Sequence, residues 1–146
     1  MALLRITRRS PLPAVEAWRR MTDWERHAGP VPFTAIRVTS ASPVGVGASF
    51  TARTAVGPVG FDDPMEVTRW ETPAEGRPGL CRLEKRGRVV VGWAEIEVRP
   101  RPGGSVVQWR EDLRMAGLPR LLDGPTAWGG RLVFGRVMRR LLDGRR

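Results

Sequence analysis

The stretch AWGGRLVFGRVMRRLL, residues 127–142, lies near the end of the chain and decides the fold. The spacing of its apolar residues predicts one long helix, because they recur on one side while arginines point elsewhere. The apolar side carries Gly130, Val133, Phe134, Val137, Met138 and Leu141, and Arg131, Arg136 and Arg139 lie away from it. An apolar helix face must be covered by another layer of secondary structure. The rest of the chain must therefore supply a broad apolar surface.

Residues 33–114 are predicted to supply this surface as a β-sheet. β-branched and aromatic residues occur there in short runs, and Gly, Pro and Asp separate the runs at intervals typical of hairpins. Connections this short join neighbouring strands only in antiparallel fashion. The pattern predicts a first strand within Leu3–Arg8 and six more at about residues 33–40, 47–56, 61–72, 79–86, 89–99 and 105–114.

Two short helices are predicted between the first two strands. Ser10-Pro11-Leu12-Pro13 offers a serine cap and a proline for a first helical turn, and apolar residues from Ala14 to Met21 follow at helical spacing. Thr22-Asp23-Trp24-Glu25 has the spacing of a capping box for a second helix, which Gly29-Pro30 would end. The predicted architecture is α+β: a seven-stranded curved antiparallel sheet, two short helices after its first strand, and a long C-terminal helix across its concave face.

The length and the cysteine content set further limits. A chain of 146 residues suits one domain, spanning residues 1–146, with a substantial core. Cys81 is the single cysteine, so an intramolecular disulfide is impossible and a cysteine-based metal site is excluded. The sequence shows neither a signal-peptide pattern nor a run of eighteen apolar residues. We therefore expect a cytoplasmic protein without a membrane span.

The net charge of +10 raises the question of a nucleic-acid partner. Of the 25 basic residues only Lys85 is a lysine, and Arg, Gly, Pro, Ala and Val abound, which is the bias expected of a GC-rich bacterial genome. The positive charge is also spread along the chain and forms no block. Nucleic acid is therefore not the expected partner.

Alternation along the strands sorts side chains into an inner face and a solvated convex face. In the last strand the inner positions include Glu111, the one carboxylate that we expect there, whereas Asp112 should lie outside. The inner face is predicted to carry Ile36, Val38, Ala48, Phe50, Ala52, Met65, Val67, Cys81, Leu83, Ala94, Ile96, Val98, Val107, Trp109 and Leu113.

Glu111 has two interpretations, because a carboxylate removed from water needs a partner or a raised pKa. One is structural, a pair with a nearby arginine or a position at an open rim. The other is functional, an anchor or a general acid inside a cavity. The sequence leaves both open.

Four other features are open in the same way. Trp70 and Trp93 fall on the convex side, so either a bulge rotates them or they cover arginine stems and contribute to a homodimer contact. His27 is expected at the surface or at a helix end, with a cavity portal as the alternative. The segment Met115–Thr126 is expected to pack as a helical turn, and Leu118 within it could line a lid.

The order of elements resembles the SRPBCC superfamily, which includes START-like and polyketide cyclase/dehydrase-like proteins. The resemblance rests on Pro13–Trp18 followed by Thr22-Asp23-Trp24, on Asp63–Trp70, and on Leu132–Met138. It implies the helix-grip fold and a cavity between sheet and helix, without a common catalytic motif. The metal-dependent oxygenase branch requires two histidines for its iron, and this chain has only His27, so we expect no metal and no other cofactor.

Three functions follow from these expectations. The favoured one is binding or carriage of a lipid- or polyketide-like hydrophobic molecule; the second is a cofactor-free cyclase or dehydrase with Glu111 as acid or base; the third is a macromolecular interaction module with a filled core. The predicted ligand-binding residues are Phe50, Met65, Val67, Trp109, Glu111, Leu118, Phe134 and Met138.

Overall fold

The computed structural model describes residues 2–27, 33–115 and 123–143. The elements of these ranges follow the predicted order, with strand bounds that differ from the predicted ones by a few residues. They are β1 (Ala2–Ser10), α1 (Ala14–Met21), a 3₁₀ turn (Trp24–His27), β2 (Thr34–Val38), β3 (Ser49–Val56), β4 (Val59–Glu71), β5 (Gly79–Lys85), β6 (Val90–Arg101), β7 (Gly104–Met115) and α2 (Asp123–Asp143).

The strands form one seven-stranded sheet in the order β1-β7-β6-β5-β4-β3-β2. Every neighbouring pair is antiparallel, so β2 to β7 form a meander and β1 pairs with the last strand. The α2 helix packs against β1, β7 and α1. The predicted α+β class and helix-grip arrangement are confirmed.

The beginnings of the two predicted short helices were wrong. Ser10 belongs to β1, and its hydroxyl oxygen accepts a hydrogen bond from the Leu12 amide at 3.1 Å, whereas α1 begins only after Pro13. The Thr22 hydroxyl donates to the Trp18 carbonyl at 2.8 Å. This hydroxyl thus bonds back to α1, and a 3₁₀ turn takes the place of the predicted second helix.

The core lies between the inner face of the sheet and the two helices. Ile96 and Val107 of the sheet, Met21 of α1, and Val137 and Met138 of α2 are all completely or almost completely buried. These residues come from every layer of the fold, and Leu141 of the predicted apolar stripe of α2 is buried with them, whereas Val133 of the same stripe is 38% exposed. No helix in the described ranges has the length and apolar character needed to cross a membrane.

A β-bulge resolves the ambiguity of Trp70. The register between β4 and β5 shifts between Val67 and Arg69, and beyond the shift Trp70 pairs with the inward-facing Cys81. Its ring meets Trp18 edge-on, with centroids 5.1 Å apart. Trp93, by contrast, keeps its convex position and carries the Arg82 guanidinium 4.6 Å from its ring centroid.

Asp112 departs from the expectation that it is exposed, because it is only 6% exposed. It does occupy the outer face of β7, but its partners in the sheet are Leu3 of β1 and Trp93 of β6. An aspartate between two larger side chains is shielded from water even on a convex surface.

The packing of α2 predicts that alanine substitutions on its two faces lower the free energy of unfolding by unequal amounts. Met138→Ala should lower the free energy of unfolding by about 2 to 5 kcal/mol, because it leaves a cavity where a completely buried side chain had been. Leu132→Ala, on the exposed side of the same helix, should change it by less than about 0.5 kcal/mol. Urea denaturation measures both, and equal costs would contradict the described orientation of α2.

Candidate functional site

A cavity of about 220 Å³ lies between the inner face of the sheet and α2. Its walls come from strands β2 to β7, the 3₁₀ turn and α2. The walls are mostly apolar, and their polar side chains include four that can carry charge: His27, Asp63, Lys85 and Glu111. The side chains between sheet and helix therefore do not fill the space that they enclose.

Five aromatic rings form a continuous arc along the cavity. Phe50 of β3 stacks on Trp24 of the 3₁₀ turn at 4.8 Å, and Trp109 of β7 stacks on Phe134 of α2 at 4.9 Å. His27 joins the two stacks, with its ring 5.6 Å from Trp24 and 5.5 Å from Trp109. The Trp24 indole also donates a hydrogen bond to the Pro43 carbonyl at 3.0 Å, which fixes its orientation. The arc thus offers a rigid apolar surface for a flat ligand.

His27 is buried and not at the surface, although it is the last residue of the 3₁₀ turn, which agrees with the helix-end part of the expectation. The 3₁₀ turn directs its ring inward, where its Nε2 atom lies 2.7 Å from the Met21 carbonyl oxygen. Because a carbonyl only accepts, Nε2 must carry the proton and donate. Burial lowers the pKa of His27 to about 4, so the ring is neutral at physiological pH.

The polar part of the cavity is a cluster of Asp63, Lys85 and Glu111. The Lys85 ammonium donates to an Asp63 carboxylate oxygen at 2.8 Å and lies 3.6 Å from the Glu111 Oε1 atom. It also lies 3.5 Å from the Met65 sulfur. The Lys85 and Glu111 side chains are only 3% and 2% exposed. Glu111 therefore has a charged partner, as its structural interpretation expected, but this partner is Lys85 and not an arginine.

The three residues of this cluster come from β4, β5 and β7, and β6 runs between the last two strands. Lys85 lies opposite Met65 of β4, two residues from Asp63, and Glu111 lies opposite Ala94 of β6. Strand β6 separates Lys85 from Glu111, and Ala94 offers only a methyl group on the inner face there. The long lysine side chain can therefore cross β6 and reach β7.

Burial dominates the ionisation of the cluster. It raises the pKa of Glu111 to about 7; Lys85 partly opposes this rise and the Asp63 charge adds to it. It also raises the pKa of Asp63, again opposed by Lys85. For Lys85, burial favours the neutral amine, but the two carboxylates outweigh it and raise the pKa, so the ammonium form persists.

Three buried polar atoms around the cavity have no hydrogen-bond partner within the described ranges: Asp63 Oδ1, Glu111 Oε2 and Trp109 Nε1. Two are carboxyl oxygens and one is an indole N–H donor. Unpaired buried polar atoms cost free energy, so a native structure rarely leaves them without a role.

The structure brings together five of the predicted ligand-binding residues and places two others, Val67 and Met138, away from the cavity lining. Both of these side chains are completely buried. Leu118, and with it most of the predicted lid, lies outside the described residues. The five that line the cavity are Phe50, Met65, Trp109, Glu111 and Phe134.

Asp63 and Lys85 are the site residues that the sequence analysis missed. Both were detectable by alternation: Asp63 shares its side of β4 with Met65, and Lys85 shares its side of β5 with Leu83. The expectation of a single inward carboxylate was therefore wrong. A lone lysine in an arginine-rich chain was a second signal.

The raised pKa of Glu111 predicts a pH-dependent stability. The folded protein favours the protonated form of Glu111. The contribution of this proton to the free energy of unfolding is therefore complete below the unfolded-state pKa of 4.5, and it is lost as the pH rises through the folded-state pKa of about 7. From about pH 5 to about pH 9, the free energy of unfolding should fall by roughly 2 to 3 kcal/mol more in the wild type than in Glu111→Gln. Urea denaturation across this range measures the difference.

Glu66→Gln is the matched control, because Glu66 lies on the convex face and its side chain is 42% exposed. It should retain the pH dependence of the wild type. The same loss of stability in Glu111→Gln as in the wild type would contradict a buried, ionisable Glu111.

Comparison with known proteins extends the description of the fold. No protein-family model matches the sequence, and no curated protein matches it significantly. Among solved structures, the protein TTHA0849 from Thermus thermophilus is 14% identical, with a TM-score of 0.70 over 99% of each chain. The AHSA1-like protein from Aeromonas hydrophila is 16% identical (TM-score 0.65, 97% of this chain and 92% of that one), and Ara h 8.0201 is 11% identical (TM-score 0.63, 97% and 98%). The chain therefore has the helix-grip fold that its resemblance to the SRPBCC superfamily implied.

Proposed function

We propose that this protein binds and carries a small hydrophobic molecule in the cavity between the sheet and α2. The observation that carries the proposal is the cavity itself, enclosed by stacked aromatic rings and bordered by one polar cluster. Binding sites for small molecules combine largely apolar walls with a few polar groups that fix orientation. The same space counts against an interaction module whose core is filled by its own side chains.

The size of the cavity narrows the class of ligand. Typical ligand pockets measure about 300–1,000 Å³, and an engineered apolar cavity of about 150 Å³ is large enough for benzene. A volume of about 220 Å³ therefore suits a compound of one or two fused rings. This favours a compact, polyketide-like aromatic molecule over a long-chain lipid, and flat rings also match the aromatic arc.

Filling the cavity should abolish binding. Ala52 lines the cavity from β3 and is only half-buried, so Ala52→Leu extends a larger side chain into the space. The affinity for naphthalene, followed by quenching of tryptophan fluorescence, should fall by roughly 5- to 150-fold, because overpacking costs about 1–3 kcal/mol.

The control is Ala35→Leu on the neighbouring strand. Ala35 is exposed and pairs with Arg53, which points away from the cavity. This variant should bind naphthalene like the wild type. Failure of the wild type to bind naphthalene, or equal binding by both leucine variants, would count against the cavity as the binding site.

A second candidate function, cofactor-free proton-transfer catalysis as in a cyclase or dehydrase, is favoured by Glu111. A carboxyl group whose pKa is about 7 can both release and accept a proton near neutral pH, which is the property required of a general acid or base. Its location beside the cavity would bring it close to a bound substrate. Glu111 would then be the catalytic residue and the aromatic arc would hold the substrate.

Nitrobenzisoxazole tests this second candidate without knowledge of the natural substrate. A buried carboxylate removes the ring proton of this compound while the N–O bond breaks, and the product is a coloured cyano-nitrophenolate. The rate should rise as pH passes through about 7 and should be lost in Glu111→Gln. A rate that Glu111→Gln leaves unchanged would remove Glu111 from any such mechanism.

A further inference from the structure

We infer that the ligand carries a hydroxyl group on its apolar frame and binds as a neutral molecule, not as a carboxylate. This inference rests on the proposed binding function and specifies the chemical class of the ligand. It follows from which polar atoms of the cavity are already paired and which are not.

Lys85 is the first reason, because its ammonium group already faces three neighbours within the protein, and two of them are carboxyl groups. An ammonium has three N–H donors. Asp63 Oδ2, the Met65 sulfur and Glu111 Oε1 lie around the nitrogen at 2.8, 3.5 and 3.6 Å. The other basic side chain that lines the cavity, His27, is neutral and uses its proton for the Met21 carbonyl. The described lining residues thus offer no free cation.

The charge of the cluster is the second reason. Two carboxyl groups face one ammonium, so the cluster is neutral when Glu111 is protonated and carries one negative charge when Glu111 is ionised. A ligand carboxylate would add a negative charge in a place that water reaches poorly. Such a ligand would have to give up its own hydration without gaining a cationic partner.

The unpaired atoms are the third reason. Glu111 Oε2 and Asp63 Oδ1 lack a donor, and the Trp109 indole N–H lacks an acceptor within the described ranges. Trp109 and Glu111 lie two positions apart on the same face of β7. Among neutral groups, a hydroxyl both donates to a carboxyl oxygen and accepts from an N–H. An ether or a ketone accepts only.

A hydroxyl also suits both protonation states of Glu111. It donates to Oε2 when Glu111 is ionised, and it accepts from Oε2 when Glu111 is protonated. Since the pKa of Glu111 is about 7, both states occur near neutral pH. A ligand with an ammonium group would match only the ionised state.

Four naphthalene compounds of similar shape test the inference: 2-naphthol, naphthalene, 2-methoxynaphthalene and 2-naphthoate. At about pH 6 the naphthol is neutral and the naphthoate is ionised. Titration of the wild-type protein, followed by tryptophan fluorescence and calorimetry, should show that 2-naphthol binds at least about tenfold more tightly than naphthalene and the methyl ether. The naphthoate should bind most weakly of the four.

The outcomes separate this inference from the proposed function. If naphthalene and 2-naphthol bind equally, or if the naphthoate binds most tightly, the hydroxyl inference is overturned while cavity binding stands. If none of the four binds, both are overturned.

Variants of Glu111 test whether the polar cluster causes the preference for 2-naphthol over naphthalene. Glu111→Leu should reduce the preference for 2-naphthol over naphthalene by about tenfold, whereas Glu66→Leu on the convex face should leave it unchanged. A preference that persists in a folded Glu111→Leu protein would overturn the role given to Glu111. If Glu111→Leu does not fold, Glu111→Met answers the same question, because it keeps the length of the side chain and removes both carboxyl oxygens; the ratio should fall, and an unchanged ratio would overturn that role.

Discussion

The ammonium group of Lys85, held between carboxyl groups from β4 and β7, is the interaction on which the character of the cavity depends. Taking these charges out of water is costly, and buried ion pairs often contribute little net stability. Apolar side chains would close the gap between sheet and helix more cheaply. The cluster therefore points to a role in recognition, and it divides the cavity into a polar wall and an aromatic arc.

The fold could be predicted from the sequence because alternation, turn residues and the stripe of the last helix all indicate the same two-layer structure. Strand bounds agreed within a few residues, and the helix-grip arrangement followed. The errors fell where short-range signals compete. The Thr22 hydroxyl serves the helix before it and not the one after it, and Ser10 lies inside a strand. Propensity alone does not decide between two such partners.

The candidate site could be predicted only in part. The inward position of Glu111 follows from alternation, but its partner depends on sheet register, because Lys85 of β5 reaches Glu111 of β7 across β6. His27 ends a short helical turn, as expected, but its burial could not be predicted, because a 3₁₀ turn, unlike a helix or strand, has no long periodic pattern from which to read its inner side. Local pattern thus identifies which side of a strand faces the helix, whereas contacts across several strands require the whole sheet.

Lys85 is the only lysine of the sequence, so it carries the only side-chain amine. Arginine does not react with reagents specific for primary amines, so such reagents have a single internal target, and that target lies in the cavity wall. An isotopically labelled methyl group placed on this nitrogen would give one magnetic resonance signal from the polar wall. Because the arginines carry no primary amine, a label on Lys85 would report on the interior and not on the arginine-rich surface.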